Sequence, residues 1–311
     1  MIFTRLHKFS ALSAVILAQL FAPACVAPDC DPADAFCEPL NGYLLYTDPI
    51  PTALRIYWVR RNGAQTVARA NLDGSAVENL GGTFPGSPNL ALVDGPGGFF
   101  YYNIDGSMDV RRMRLDGSGD SVFVTDDSAG DPLGLAIDRS RDRLYFWNAA
   151  AELRYVSIAN GGGQTVLRAL TAGQTGGFYS AAEDVIYSAG GTDLRRVSAD
   201  GATDDLLSNS FTGVLTVIAG GDGTLYVVDF AATQIVRVNR DGSNPQVVLS
   251  GFQPGGVAFD SRNNHLYVCD QTNQRIFRAN ELGGDLTPLV SFEAGYNPIA
   301  CNLQFTAGGL F

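Results

Sequence analysis

The chain has 311 residues, 46% of them hydrophobic, with 36 glycines and 10% aromatics, a mix that suits many short strands joined by tight turns. Its formal charge of −11 excludes a nucleic-acid binder, because there is no cationic surface to displace counterions from phosphates. Lys8 is the only lysine, and His7 and His265 are the only histidines. Once the first 24 residues are removed, Schiff-base catalysis, a phosphate-loop lysine and a multi-histidine zinc site are excluded too.

Residues 1–24 read as a secretory signal. Arg5 and Lys8 supply the positive start, "FSALSAVILAQLF" is an apolar run too short for a comfortable membrane span, and Ala22–Ala24 fits the small-x-small cleavage pattern. Losing those two cations takes the charge from −11 to about −13. Cleavage after Ala24 makes Cys25 the first residue. This resembles a bacterial lipoprotein signal, although Ala22 stands where Leu is usual and Pro23 is atypical. The alternative is plain secretion, with Cys25 bonded or free. The five cysteines are Cys25, Cys30, Cys37, Cys269 and Cys301, an odd number for an exported chain. A lipid on Cys25 leaves four to pair. Cys30 with Cys37 closes a short loop, and Cys269 with Cys301 ties the end of the domain to its last full repeat, but four cysteines allow three pairings. Residues 25–40, rich in Pro, Asp and Ala, read as a tether, and residues 41–311 as the domain.

The domain repeats. Aligned on a turn residue (Gly74, Gly117, Asn160, Gly201, Gly242, Gly283), the intervals are 43, 43, 41, 41 and 41 residues. Seven positions before the turn stands an aliphatic residue, from Val67 to Ile276. Five before it stands Arg69, Arg112, Tyr155, Arg196, Arg237 or Arg278. Upstream lies a strand carrying Tyr57, Tyr101, Tyr145, Tyr187, Tyr226 or Tyr267, each preceded by an apolar residue. After the turn comes a variable strand such as "QVVLS", then a Pro- or Gly-led apolar strand such as "DPLGLAID". Four short strands in some 42 residues match one propeller blade, and six repeats predict an all-β, six-bladed β-propeller with four-stranded blades. Two segments compete to close the ring as the innermost strand of the blade starting near Ile56: "NPIACNLQF" (297–305) and "GYLLYTD" (42–48). The Asp-Gly turns supply the positive φ that tight hairpins need. With one Asp per blade, they read as turn residues rather than calcium ligands. The periodic arginines read as structural, laying their stems over neighbours and bonding carboxylates or carbonyls between blades.

At this point "IYW" (56–58), "LYVVD" (225–229), "LYVCD" (266–270), "VARANLDGS" and "IVRVNRDGS" resemble the YWTD repeats of the low-density-lipoprotein-receptor-type six-bladed propeller, over roughly residues 55–305. The Asp three after the Tyr is kept only as Asp229 and Asp270. Asn148, Arg60, Ile104 and Gly190 stand there in the other repeats. The resemblance implies inter-blade hydrogen bonding by that Asp, which the departures put in doubt for half the ring. It also implies ligand recognition on the face carrying the loops after the Tyr strands. That face would present Arg60, Arg61, Asn62, Asp105, Asn148, Asp193, Asp229, Phe230, Asp270 and Gln271. The chain is also similar to gluconolactonase-like propellers, which hold a divalent metal with Glu, Asn and Asp near the channel. Glu is sparse here, no Gly-x-Ser-x-Gly element occurs, and His265 falls on the opposite face.

The expectation is an exported, periplasmic or extracellular binding protein that is not an enzyme and takes no cofactor and no metal. It would recognise a protein, peptide or glycan and meet a membrane only through a lipid on Cys25. The alternatives are a metal-dependent hydrolase or lyase of the gluconolactonase-like type and a purely architectural envelope protein.

Overall fold

The computed structural model describes residues 55–61, 66–80, 88–94, 97–128, 130–170 and 173–304. The leader, the tether with Cys25, Cys30 and Cys37, the segment "GYLLYTD" and Asn62 lie outside them. The described residues form six four-stranded antiparallel sheets, arranged as the blades of a propeller, and no helix.

The first blade holds β1 (Arg55–Arg61), β2 (Val67–Asn71) and β3 (Glu78–Leu80). The second is β4 (Pro88–Asp94), β5 (Phe99–Ile104), β6 (Asp109–Arg114) and β7 (Ser121–Thr125). The third is β8 (Pro132–Asp138), β9 (Arg143–Asn148), β10 (Glu152–Ser157) and β11 (Thr165–Ala169). The fourth is β12 (Gln174–Ser180), β13 (Val185–Gly190), β14 (Asp193–Ser198) and β15 (Asp204–Ser208). The fifth is β16 (Val214–Ala219), β17 (Thr224–Asp229), β18 (Gln234–Asn239) and β19 (Gln246–Ser250). The sixth is β20 (Pro254–Asp260), β21 (His265–Asp270), β22 (Arg275–Asn280) and β23 (Thr287–Ser291). The last strand, β24 (Asn297–Gln304), pairs antiparallel with β1 and becomes the innermost strand of the first blade. Of the two segments competing for that place, the C-terminal one takes it.

Burial follows position in the blade. The Tyr strands are buried along nearly their whole length, β17 at every residue, because neighbouring blades cover both faces. The outermost strands, such as β19 and β7, are mostly exposed, which is why their sequences vary. The core is accordingly six layers between blades. In one, Ile56 and Trp58 of the first blade pack on Tyr267, Cys269 and Ile276 of the sixth. Fully burying a side chain of this size is worth roughly 1.5–3 kcal/mol. A polar chain crosses one layer: Trp147 Nε1 donates to Ser188 Oγ at 2.7 Å, and that hydroxyl donates to Gln174 Oε1 at 2.7 Å.

The periodic Tyr and Arg are one feature. Register places Tyr57 opposite Arg69, Tyr101 opposite Arg112, Tyr187 opposite Arg196, Tyr226 opposite Arg237 and Tyr267 opposite Arg278. In the third blade Tyr145 faces Tyr155, and Arg143 lies 4.1 Å over the Tyr155 ring. Burial pushes the Tyr226 and Tyr267 hydroxyls up to about 12, against a weaker opposing pull from the facing Arg. Arg69 also reaches across blades, donating to the Leu115 carbonyl at 2.7 Å.

The turns do more than reverse the chain. Asp73, Asp116, Asp200 and Asp241 each accept the backbone N–H two residues on, at 2.9 Å, so each carboxylate is committed to its own turn. The glycine that follows has φ between 76° and 87°. At Gly74, Gly201, Gly242 and Gly283, a Cβ would collide with a backbone carbonyl on the outer strand of the preceding blade. In the third blade Gly161 fills this place, bonding to Ser157 O at 2.7 Å, while Asn160 Oδ1 accepts Gly162 N at 2.8 Å. The turn aligned on Asn160 therefore shifts by one residue, because this hairpin carries an extra one.

Two glycines separate conformation from contact. Gly283 (φ 84°) faces the Val248 carbonyl, whereas Gly223 (φ 72°) has nothing within 4 Å of a Cβ. Gly223→Ala is expected to cost about 1 kcal/mol, the price of the left-handed backbone alone. Gly283→Ala should cost more than about 2 kcal/mol, because the neighbouring blade must also move. Urea unfolding of both variants measures this, and equal costs would remove the inter-blade role of the turn.

Candidate functional site

The face carrying the loops after the Tyr strands is built on buried polar groups at the ends of those strands. Asp229 ends β17, where it accepts Thr212 N at 3.1 Å and Gly213 N at 2.9 Å. It thereby pins the connection that leads from the fourth blade into β16. Asn148 ends β9: its Oδ1 accepts Glu152 N at 2.9 Å, and its Nδ2 donates to Asp126 Oδ2 and Ser128 Oγ at 2.8 Å, pinning the corresponding connection before β8. In the second blade Asn103 donates to the Pro132 carbonyl of the next blade. Asp270 behaves differently. It accepts Asn273 N at 3.0 Å, Asn273 Nδ2 at 2.8 Å and Arg275 Nε at 2.9 Å, all within its own hairpin. Asn148, Asp229 and Asp270 are thus buried supports beneath the loops.

Other predicted residues lie closer to solvent. Asp105 is exposed at the tip after β5. Asp193 is half-buried and paired with Arg195 at 3.0 Å. Phe230 and Gln271 are half-buried. Gln271 lies across from Gly255 at the start of an innermost strand. Arg60 stacks 4.3 Å over the Tyr296 ring and donates to Glu293 Oε1 at 3.2 Å. Arg61 ends β1.

Two arrangements on this face are not apparent from the repeat. Tyr296 stacks on Phe292 at 3.9 Å and accepts Trp58 Nε1 at 2.9 Å, making an aromatic support for Arg60. Arg154 is 7% exposed among Asp126, Asp127 and Glu152, where it closes the third blade against the segment before β8. Arg154 draws one partner, Glu152, from its own strand and two, Asp126 and Asp127, from the segment before β8, a meeting that only the fold shows. Exposed Asp127 and Glu293 are thereby each paired with an arginine of this face, Arg154 and Arg60.

The opposite face carries the Asp-Gly turns and the loops after the innermost strands. Here the axial channel opens into a chamber of about 290 Å³ walled by Leu92, Ile137, Phe178, Ile218, Phe259 and Leu303. Asp94 and Asp138 sit in its wall, both buried. Asp94 accepts Arg139 Nε at 3.0 Å and Gly97 N at 3.2 Å. Asp138 accepts Ser140 Oγ at 2.6 Å and Arg141 Nη1 at 3.0 Å. Arg141 continues to Asp184 at 2.6 Å, which with the Tyr179 hydroxyl holds that carboxyl below its usual range. His265 begins β21 on this face, and burial, reinforced by Arg278, lowers its pKa. Among the described residues no three His, Cys, Asp or Glu side chains converge in a way that would hold a metal ion.

No protein-family description matches the sequence, and curated proteins return no match. Among solved structures, a chain from the crystal structure of a nidogen/laminin complex is similar, with a TM-score of 0.71 and 12% identity over 81% of this chain and 98% of that one. This is a likeness of fold, the six-bladed propeller.

The supporting role of Asp229 has a direct consequence. Asp229→Ala leaves two backbone donors without their acceptor, at an expected cost of about 1–3 kcal/mol. Hydrogen exchange at the Thr212 and Gly213 amides should speed up in step. Unchanged exchange there would mean that the carboxylate does not hold the connection.

Proposed function

We propose that this chain is a non-catalytic recognition protein that binds a protein partner through the face bearing the loops after the Tyr strands. Peptide and glycan ligands fall within the same reading. One observation carries it: blades of one repeated design end on this face in described loops that differ from blade to blade. Asp105, Ala149 and Ala150, Gly191 and Thr192, Phe230 and Ala231, and Gln271 and Thr272 are raised on buried supports. A mixture of charged, amide and aromatic groups over a rigid base suits protein recognition. The similar solved chain comes from a complex of two proteins, which supports the same class of role. An exported location is supported by the disulfide described below and by the leader pattern. A lipid on Cys25 would then tether the propeller to a membrane.

Photo-crosslinking tests the face directly. A benzoyl-phenylalanine at Asp105 or Phe230 is expected to capture one partner from the native envelope, whereas the same group at Asp222 on the opposite face captures none. Phe230→Ala should weaken that partner's binding by about tenfold if the ring is one of its anchors. Capture from Asp222 alone would overturn the choice of face.

A further inference from the structure

We infer that the axial chamber on the opposite face binds one neutral, mainly apolar small molecule of two or three rings. This site is separate from the protein-recognition face and does not depend on it.

Size and surface come first. About 290 Å³ lies near the lower end of ligand cavities, which run from roughly 300 to 1,000 Å³. Leu92, Ile137, Phe178 and Ile218 remain half-buried inside the ring, while the side chains packed between blades are wholly covered. Apolar surface left open within a concave chamber is the feature that an apolar ligand would cover.

Toward the other face the chamber continues into a smaller space of about 130 Å³, where glycines let neighbouring innermost strands approach each other closely. A Cβ on Gly134 would lie 2.5 Å from Gly176 Cα, and one on Gly256 2.7 Å from Cys301 N.

Charge selects for neutrality. The wall carboxylates of Asp94 and Asp138 are each matched to an arginine, Arg139 and Arg141, and are bonded further by Gly97 N and Ser140 Oγ. These bonds already occupy both carboxylates against a cationic ligand, and Arg141 is shared with Asp184, so no cation is left over for an anionic one; a buried ion without a counter-charge is costly. Arg139, 38% exposed at the rim, could donate to a single hydroxyl or carbonyl on the ligand.

The test uses the whole chain and N-phenyl-1-naphthylamine, a neutral aromatic probe that brightens in apolar surroundings. Saturable enhancement with one probe per chain is expected. Its anionic relative, 8-anilinonaphthalene-1-sulfonate, should bind at least about tenfold more weakly. Ala219→Trp, which fills the chamber, and Ile218→Asp, which charges its wall, should each weaken the neutral probe by about tenfold or more. Val122→Trp on the exposed outer edge should leave it unchanged. Melting curves report whether each variant is folded. Photolysis with benzophenone needs no variant: labelled peptides are expected from β4, β8, β12, β16, β20 and β24. Absence of saturable binding, equal affinity for the anionic probe, undiminished binding in folded Ala219→Trp and Ile218→Asp, or labelling away from those strands would each overturn the assignment.

Discussion

The pairing of β24 with β1 is the interaction on which the rest of this structure depends. Each blade buries its faces only against the next, so an open ring would leave two large apolar faces in water. The closing blade takes three strands from the start of the domain and one from its end, with Ile56 opposite Leu303 and Val59 opposite Ile299. The Cys269–Cys301 disulfide, with Cα atoms 5.8 Å apart, then joins β24 to the Tyr strand of the sixth blade. Pairing fixes β24 to the first blade and the covalent bond fixes it to the last. Both therefore act on one seam, over which Trp58, Phe292 and Tyr296 pack.

Much of this was legible in the sequence, for a physical reason. A blade exists only as part of a ring, so the same contacts must be made six times, and repeated contacts leave repeated residues. The Tyr strand, the Arg opposite it and the Asp-Gly turn are all of this kind. The exceptions were local. The third blade's turn reads as Asn160 because Asn and Asp play the same part there, and only the hydrogen bond from Gly161 to Ser157 shows the inserted residue. Closure could not be chosen from sequence because both candidate segments are short and apolar. The residue three after each Tyr was likewise ambiguous. Asp229 and Asn148 both pin an inter-blade connection despite different chemistry, whereas Asp270, identical to Asp229 in motif, folds back on its own hairpin. What decides is whether Asn273 and Arg275 stand nearby to take the carboxylate.

Function was less legible because sequence marks positions and not the space between them. Phe178, Ile218 and Leu92 have the pattern of core residues, and partly they are core. That six innermost strands converge on a common apolar chamber follows only from the ring. The predicted face divides along the same line. Its most motif-like members are supports, and its exposed members are those that repeat least. The two faces thus offer different chemistry: unlike, partly polar loops on one, and an apolar chamber on the other.

The closing strand can be tested apart from the disulfide. In a Cys269→Ser background, equilibrium urea unfolding compares a chain ending at Tyr296 with the full-length chain carrying Cys301→Ser, so that neither has the covalent link. If β24 closes the ring, the shortened chain loses the single cooperative transition together with the near-ultraviolet signal of Trp58. If it unfolds with the midpoint and slope of the full-length variant, β24 is not what holds the propeller shut.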